Sequence, residues 1–246
     1  MTAFPILETE RILLRELTLD DAPFYLRHFS DLDIVEHSAF EAPRDLEAAK
    51  GELLEYCIDL FQGGRGIRWG IVLKSTGGLI GTCGYYMWDH AAQKARIGYD
   101  LAPEHRRKGI MSEALREMID HGFGAMELNR IEVLIDPRNV ASLRLVEKLG
   151  FTQEGLSRES TFFRGRFLDD ACYALLRREW ALPSRDSSLG PSGSIHRRSD
   201  KVRARTSGSR SAPRGGRGTT RRKPARLPVE EDEEDPPARF RARSYG

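Results

Sequence analysis

The stretch ARIGYDLAPEHRRKGIMSEALR, residues 95–116, decides the fold class of this chain. Its first part, residues 95–101, predicts a β-strand that ends at the Ala102-Pro103 turn. A loop with three consecutive cations then reaches Gly109, and apolar residues at helical spacing predict a helix from there to about Phe123. This stretch opens a late strand–helix–strand–helix–strand unit, which favours a mixed α/β sheet over a barrel or a helical bundle.

Segments on both sides of this stretch supply the rest of the predicted sheet and its helices. The predicted strands are 11–16, 68–74, 79–88, 95–101, 130–135, a segment from 151 onward, and 169–176. Further helices are predicted after Thr18, from 45 to 61 and from about 140 to 149, where Gly150 is a stop signal. One domain therefore fits residues 8–182.

The net charge differs sharply between the two parts of the chain. Residues 183–246 carry 16 Lys and Arg against 8 Asp and Glu, whereas residues 1–182 carry 23 against 29. Ser, Gly, Pro and Arg dominate the tail, and an acidic block follows at 230–235, so we expect residues 183–246 to be disordered. Two interpretations of the tail stay open: a solubilising segment, or a contact to the ribosome or to nucleic acid through phosphate neutralisation.

Composition also limits the compartment and the kinds of cofactor. The N-terminal residues mix charges with apolar residues, and no run approaches the roughly 18 apolar residues that span a bilayer, so we expect neither a secretory signal nor a membrane segment. The cysteines, Cys57, Cys83 and Cys172, are odd in number and far apart, and the histidines show no metal-ligand spacing. We therefore expect a reducing, cytoplasmic setting without a disulfide framework or a metal site.

The loop EHRRKG, residues 104–109, has the parts of an anion site. Backbone N–H groups at the start of a helix lack partners and carry partial positive charge, and glycine lets a ligand approach them closely. The common nucleotide motifs GxxxxGK[ST] and GxGxxG are both missing. From the residues alone, a solvated basic corner, a nucleic-acid contact and a phosphate site stay open, although the acidic surroundings make nucleic acid the poorer fit.

The same loop resembles the acetyl-coenzyme A loop of the GNAT superfamily of N-acetyltransferases. The family pattern Arg-x-x-Gly-x-small stands here as RRKGIM at 106–111, with Met111 in place of the usual Gly or Ala. Other blocks are similar to the subgroup that acetylates the N-termini of ribosomal proteins. These blocks are ETERILLREL at 8–17, GLIGTCGY at 78–85, KGIMSEAL at 108–115, NRIEVLIDPRNVASLRLVEKLGF at 129–151, EG at 154–155, and the Asp169 to Tyr173 spacing before LLRREW.

Membership in this family implies a mixed, mostly antiparallel sheet with helices on both faces. Two parallel strands, here 95–101 and 130–135, would splay apart to receive acetyl-CoA between them. Main-chain groups of the first strand would pair with the pantetheine arm, and the loop would hold the pyrophosphate. Asn139 would bind the pantetheine, although Asn at this position also suits a helix cap. The cofactor-binding residues implied are Tyr99, Asp100, Leu101, Arg106, Arg107, Lys108, Gly109, Ile110, Met111, Asn139 and Ser142.

The reaction implied is direct attack of a neutral amine on the thioester, which asks for a base, for donors to the oxyanion and for an acid near the sulfur. The tyrosine acid common in the family is replaced by Val146, so Ser142 is the acid candidate, with a first-turn helix hydroxyl as the alternative interpretation. The base candidates are Glu132, on a strand beside the cleft, and Glu159, near Thr161 where the subgroup carries a carboxylate. Catalysis by positioning and solvent alone stays open.

The resemblance therefore implies an acetyl-CoA-dependent N-acetyltransferase, and its acceptor is expected to be the α-amino group of a protein. Acetylation of a small amine, such as an aminoglycoside or a polyamine, is the alternative among enzymes. A non-catalytic module that binds acyl-CoA and docks on nucleic acid through the tail is the alternative outside enzymes.

Overall fold

The computed structural model describes residues 3–37 and 40–180, which form a sheet covered by helices. The predicted disordered tail, residues 183–246, lies outside these described residues. The strands are β1 (Leu7–Glu8), β2 (Ile12–Glu16), β3 (Ile67–Leu73), β4 (Gly78–Asp89), β5 (Lys94–Leu101), β6 (Arg130–Ile135), β7 (Thr152–Phe163) and β8 (Arg166–Leu176). They form one sheet in the order β1-β2-β3-β4-β5-β6-β8-β7, in which β5 and β6 run parallel and the other neighbours run antiparallel.

Helices cover both faces of this sheet, which confirms the predicted mixed α/β class. The helices are α1 (Ala22–Ser30), α2 (Leu32–Val35), α3 (Leu46–Leu53), α4 (Asp59–Gln62), α5 (Ile110–Gly124) and α6 (Val140–Lys148). Side chains alternate between the faces of a strand. On β5, Ile97 and Tyr99 therefore join the large core under α5 and α6. A second core, formed mainly by α1, α2 and α3, lies over the opposite face.

The predicted elements are found close to their expected positions, and the differences involve short or irregular segments. The helix predicted over 45–61 is interrupted by a π-helical turn at Leu54–Ile58. The two-residue β1 and the four-residue α2 were not predicted, because segments this short carry no periodicity. Gly150 has φ +93°, the left-handed conformation expected of a helix stop.

The strands β5 and β6 are paired over only part of their length. Their register joins Lys94 to Arg130, Ala95 to Ile131 and Arg96 to Glu132, and no later pair forms between them in the described part of the chain. Beyond this point β5 continues alongside β4 as far as Leu101, and β6 continues alongside β8 as far as Ile135. The two strands therefore diverge and leave a wedge between them.

A buried polar cluster around Asp100 holds α1 against the sheet beside this wedge. The Asp100 carboxylate is fully buried and lies 2.6 Å from His28 Nε2 of α1. Arg68 Nη2 of β3 donates to its other oxygen at 2.7 Å, and the hydroxyl of Thr82 on β4 donates to that oxygen as well. Burial alone would raise the pKa of Asp100, but the His28 ring and the Arg68 guanidinium outweigh it and hold this pKa below its ordinary value.

We expect Asp100→Asn to lower the free energy of unfolding by about 3–5 kcal/mol at neutral pH, because it leaves the buried Arg68 charge uncompensated. The matched control is Asp21→Asn, which breaks the more exposed pair with Arg15 and should cost about 0.2–1 kcal/mol. Urea unfolding of the full chain measures both values. Equal losses in the two variants would contradict the assignment of Asp100 as a buried anchor.

The Asp100 cluster also predicts how the free energy of unfolding changes at acid pH. A carboxyl with a lowered folded-state pKa contributes stability that is fully present above its unfolded pKa of about 3.9 and is lost as pH falls through the folded pKa. Wild-type protein should therefore lose more unfolding free energy than Asp100→Asn as the pH falls below about 4. An equal loss of unfolding free energy in the two proteins over this pH range would contradict this expectation.

Candidate active site

Charged side chains close the narrow end of the wedge. Arg96 Nε donates to Glu132 Oε2 at 3.3 Å, and Arg130 Nε donates to Glu132 Oε1 at 2.7 Å. Burial alone would raise the pKa of Glu132, but Arg130 and Arg96 outweigh it, so the pKa lies below its ordinary value. A carboxylate held this way is a weak proton acceptor at neutral pH. The geometry therefore places Glu132, a predicted base, as the link between β5 and β6.

The loop between β5 and α5 has the backbone of an anion site. Arg107 has φ +60° and Gly109 has φ +78°, both in the left-handed region, and α5 begins at the next residue, Ile110. Left-handed residues at a helix N-terminus turn successive N–H groups toward one side, where an anion is favoured. Arg107, Lys108 and Gly109 are all exposed. These features fit the pyrophosphate of acetyl-CoA.

Met111 departs from the family pattern, and its surroundings explain why the departure is tolerated. Its side chain is 8% exposed and packs in the main core, as does that of the neighbouring Ile110. The side chains of both residues thus point into the protein. Their bulk therefore does not obstruct the exposed face of the loop. At these two positions, main-chain groups are left to contact a ligand.

Arg11, which no sequence pattern identified as a site residue, fixes the loop from the segment just before β2. Its Nη1 donates to the Lys108 carbonyl at 2.9 Å, and its Nε donates to Glu113 Oε2 at 2.6 Å. The hydroxyl of Thr9 donates to the other oxygen of Glu113. The segment before β2 thereby clamps both the loop and the first turn of α5. A separation of 97 residues between Arg11 and Lys108 explains why no local pattern revealed this contact.

Arg106 faces away from the exposed part of the loop. Its Nε donates to the Leu101 carbonyl and its Nη2 donates to the Asp33 carbonyl, both at 3.1 Å. The side chain therefore joins the end of β5 to α2. Among the loop cations, Arg107 and Lys108 are the two whose exposed side chains can meet a phosphate.

On the other side of the wedge, three predicted site residues meet at the start of α6. Asn139 Oδ1 accepts a hydrogen bond from the Ser142 N–H at 3.0 Å, so Asn139 is the N-cap of α6. The Ser142 hydroxyl lies 2.5 Å from the Tyr99 hydroxyl, and both side chains are fully buried. For Tyr99, the sequence predicted only that its main chain would bind the pantetheine arm. It brings a phenol from β5 next to Ser142, whereas Val146 is a buried core residue.

The β7–β8 hairpin carries a buried carboxylate, Asp170, that was not among the predicted site residues. Asp170 is 1% exposed, and its Oδ2 accepts hydrogen bonds from Ser160 at 2.6 Å and from Thr161 at 2.9 Å. A carboxylate thus lies beside Thr161, the position where the subgroup carries one. Glu159 is exposed at a bulge of β7 with φ +51°, and its N–H donates to Asp169 Oδ1 at 2.8 Å. The adjacent aspartates of β8 were the signal available in the sequence.

Within residues 3–37 and 40–180, no group of three or more His, Cys, Asp or Glu side chains is placed to hold a metal ion. In the same ranges, no helix is both long and apolar enough to cross a membrane.

Gly109→Ala should weaken acetyl-CoA binding roughly five- to thirtyfold, because a left-handed backbone costs an L-residue about 1–2 kcal/mol. An added Cβ would meet Arg11 Nη2 at an ordinary 3.5 Å, so the effect comes from the backbone conformation. Isothermal titration with acetyl-CoA measures it. The matched control is Gly124→Ala in the last turn of α5, where a Cβ meets nothing within 4 Å. Unchanged affinity in Gly109→Ala would contradict the phosphate assignment.

Comparison with known proteins gives a consistent family assignment. The family model described as acetyltransferase (GNAT) domain matches residues 11–152. Over 175 residues the chain is 38% identical to "Uncharacterized N-acetyltransferase p20" of Bacillus licheniformis, which covers 71% of this chain and 98% of that relative. Over 104 residues it is 36% identical to "Putative ribosomal N-acetyltransferase YdaF" of Bacillus subtilis, which covers 42% of this chain and 57% of that relative.

A solved structure agrees with these relatives. The crystal structure of ribosomal-protein-S5-alanine acetyltransferase from Vibrio fischeri aligns with a TM-score of 0.62 at 26% identity, covering 72% of this chain and 99% of that one. The splayed strands and the glycine loop are thus found in a chain whose sequence matches the same family over most of the described domain. The chain belongs to the GNAT family and is an acetyl-CoA-dependent N-acetyltransferase.

Proposed function

We propose that the acceptor of this enzyme is the α-amino group of a protein N-terminus. The observation that carries the proposal is the charge on the sheet face opposite α5 and α6. Glu132 is bonded to Arg96 and Arg130, and Asp100 is bonded to Arg68. Arginine thus neutralises these two carboxylates. A polyamine or an aminoglycoside carries several cations and needs several carboxylates to match them, whereas an N-terminus carries one.

Two relatives support the same acceptor class. The names of the Bacillus subtilis relative and of the Vibrio fischeri enzyme both refer to ribosomal substrates. The Bacillus subtilis relative is similar over 42% of this chain and the Vibrio fischeri enzyme over 72%. We extend the acceptor class to this chain on the strength of that similarity together with the charge argument.

The wedge and the loop supply the positioning that the reaction needs. We propose that main-chain groups of Tyr99, Asp100 and Leu101 guide the pantetheine, and that N–H groups around Gly109 hold the pyrophosphate. Bound acetyl-CoA supplies a thioester whose carbonyl carbon the amine attacks. The protein's part is to fix that carbon between β5 and β6, where the acceptor reaches it from the α1 side.

Ser142 is the proposed acid for the departing sulfur. Its hydroxyl lies at the start of α6, and Tyr99 lies 2.5 Å away to reorient or replenish the proton. The proton delivered to the sulfur comes from the attacking nitrogen and passes through this hydroxyl pair. We assign Glu132 to holding the two strands together, and Glu159, exposed at the β7 bulge, keeps a proposed role beside the incoming acceptor.

An acceptor comparison tests the proposed function. Release of free thiol is measured with peptides that begin with Ala or Ser, with the same peptides blocked at the N-terminus, and with spermidine and an aminoglycoside. We expect the highest kcat/KM for the free N-termini and none for the blocked peptides. Acetylation of a lysine in the blocked peptide, or a higher kcat/KM for a small amine, would overturn the α-amino assignment.

Ser142→Ala should lower kcat roughly a hundredfold, the lower range for loss of a general acid, while acetyl-CoA binding stays close to wild type. Tyr99→Phe should lower kcat less and shift the basic limb of the kcat–pH profile, because the hydroxyl pair then lacks one member. Ser75→Ala, an exposed serine in the β3–β4 turn, is the control. A Ser142→Ala variant with full kcat would remove Ser142 from the mechanism.

The basic tail gives a separate proposal about partners. Residues 183–246 lie outside the described residues, and their excess of Lys and Arg over Asp and Glu supports contact with the ribosome or with RNA. Deleting residues 184–246 should weaken sedimentation with ribosomes at low salt and leave kcat with short peptides unchanged. Equal sedimentation of the full and shortened chains would contradict this role.

A further inference from the structure

The chain from Asp31 to His37, here called the α2 segment, crosses the open end of the wedge. At one side, Arg106 ties this segment to β5 by bonding the carbonyls of Leu101 and Asp33, both at 3.1 Å. At the other side, His37, just beyond α2, reaches the residue that follows β6. Its Nδ1 lies 3.8 Å from Asp136 Oδ2. The α2 segment thus spans from the end of β5 to the end of β6.

His37 is held in this position without a hydrogen bond to its Nδ1 atom within the described residues. Its Nδ1 is buried and has no hydrogen-bond partner within the described ranges, while 26% of the side chain is exposed. Nε2 lies 4.0 Å from Glu36 Oε2, on the same segment. The ring therefore has one nitrogen turned toward a buried carboxylate and a partly exposed side chain that an entering molecule can touch.

The groups that face His37 set the charge around it. Glu36 faces it from its own segment, and Asp136 faces it from the end of β6. Arg138 bonds Asp136 through its backbone N–H at 2.9 Å and through its guanidinium Nε at 3.1 Å. Asp136 is 2% exposed and is thereby fixed in place. A fixed carboxylate beside one nitrogen orients an imidazole and stabilises the imidazolium as it forms.

We propose that His37 takes the proton from the acceptor ammonium. The proposal rests on acetyl transfer to an amine that arrives protonated, as the proposed function requires. An α-amino group has an ordinary pKa of about 7.7–8.0, so most of it is ammonium at pH 7. Histidine is the side chain best suited to accept a proton in this range. Hydrogen bonds of catalytic groups are often long in apo structures, so the 3.8 Å between His37 Nδ1 and Asp136 Oδ2 is compatible with this role.

The proposed reaction transfers two protons from the acceptor nitrogen, one before and one after the C–N bond forms. One N–H bond of the ammonium breaks, its electron pair stays on nitrogen, and the proton moves to Nε2 of His37. The neutral amine then forms the C–N bond and the C–S bond breaks. The second proton leaves the attacking nitrogen and reaches the sulfur through Ser142. His37 returns its proton to solvent before the next turnover.

Three variants of the full-length protein test this assignment. With a peptide whose α-amino group is protonated at pH 7, His37→Ala should lower kcat/KM roughly a hundredfold, and His37→Gln should behave alike. With hydroxylamine, an acceptor that is largely neutral at this pH, both variants should stay close to wild type. Added imidazole should restore much of the lost rate in His37→Ala. His90→Gln, whose ring bonds the Gly64 carbonyl away from the wedge, is the control.

The outcomes separate a proton acceptor from a structural residue. Equal losses with the peptide and with hydroxylamine, or no recovery with imidazole, overturn the assignment of His37. If wild-type protein acetylates spermidine but no peptide, the N-terminal acceptor fails, and the same variants are compared with spermidine, whose amines are also protonated. Wild-type protein that acetylates no amine overturns both proposals.

Discussion

The incomplete pairing of β5 with β6 is the constraint on which the rest of the active site depends. Parallel neighbours normally continue their hydrogen bonds along the shared length. Here the last pair is Arg96 with Glu132, and their side chains form an ion pair at the point of divergence. Each strand is stabilised beyond it by an antiparallel neighbour on its other side. The sheet can therefore stay intact and still open a wedge for an extended ligand.

Contacts from distant parts of the chain give the wedge its chemistry. Arg11 holds the glycine loop and the first turn of α5 from the β2 side, and Arg106 joins the end of β5 to α2. The Asp100 cluster holds α1 against the same strand. Loop, helices and wedge are thereby connected through β5, so a change that displaces this strand reaches the β5–α5 loop and the α1 side of the sheet together.

The acidic residues differ in the charged groups that contact them. Arg130 and Arg96 hold the pKa of Glu132 below its ordinary value, and His28 and Arg68 do the same for Asp100. Asp136 is fixed by Arg138 and lies beside His37. Proton transfer is then best supplied by groups that can change charge near neutral pH or that hold a movable hydroxyl proton. His37 and the Tyr99–Ser142 pair are the groups that we propose for proton transfer.

The sequence by itself determined the fold class, the turn at Gly109 into α5 and the cap at the start of α6. Each of these depends on residues that are close in sequence: strand alternation, a left-handed Gly109 before a helix, and Asn139 three residues before Ser142. Only the tertiary structure decided which acidic residues are held by arginine, which phenol meets Ser142, how Arg11 reaches the loop and how His37 reaches Asp136. These contacts join residues far apart in the chain, and their geometry follows from packing that no local pattern records.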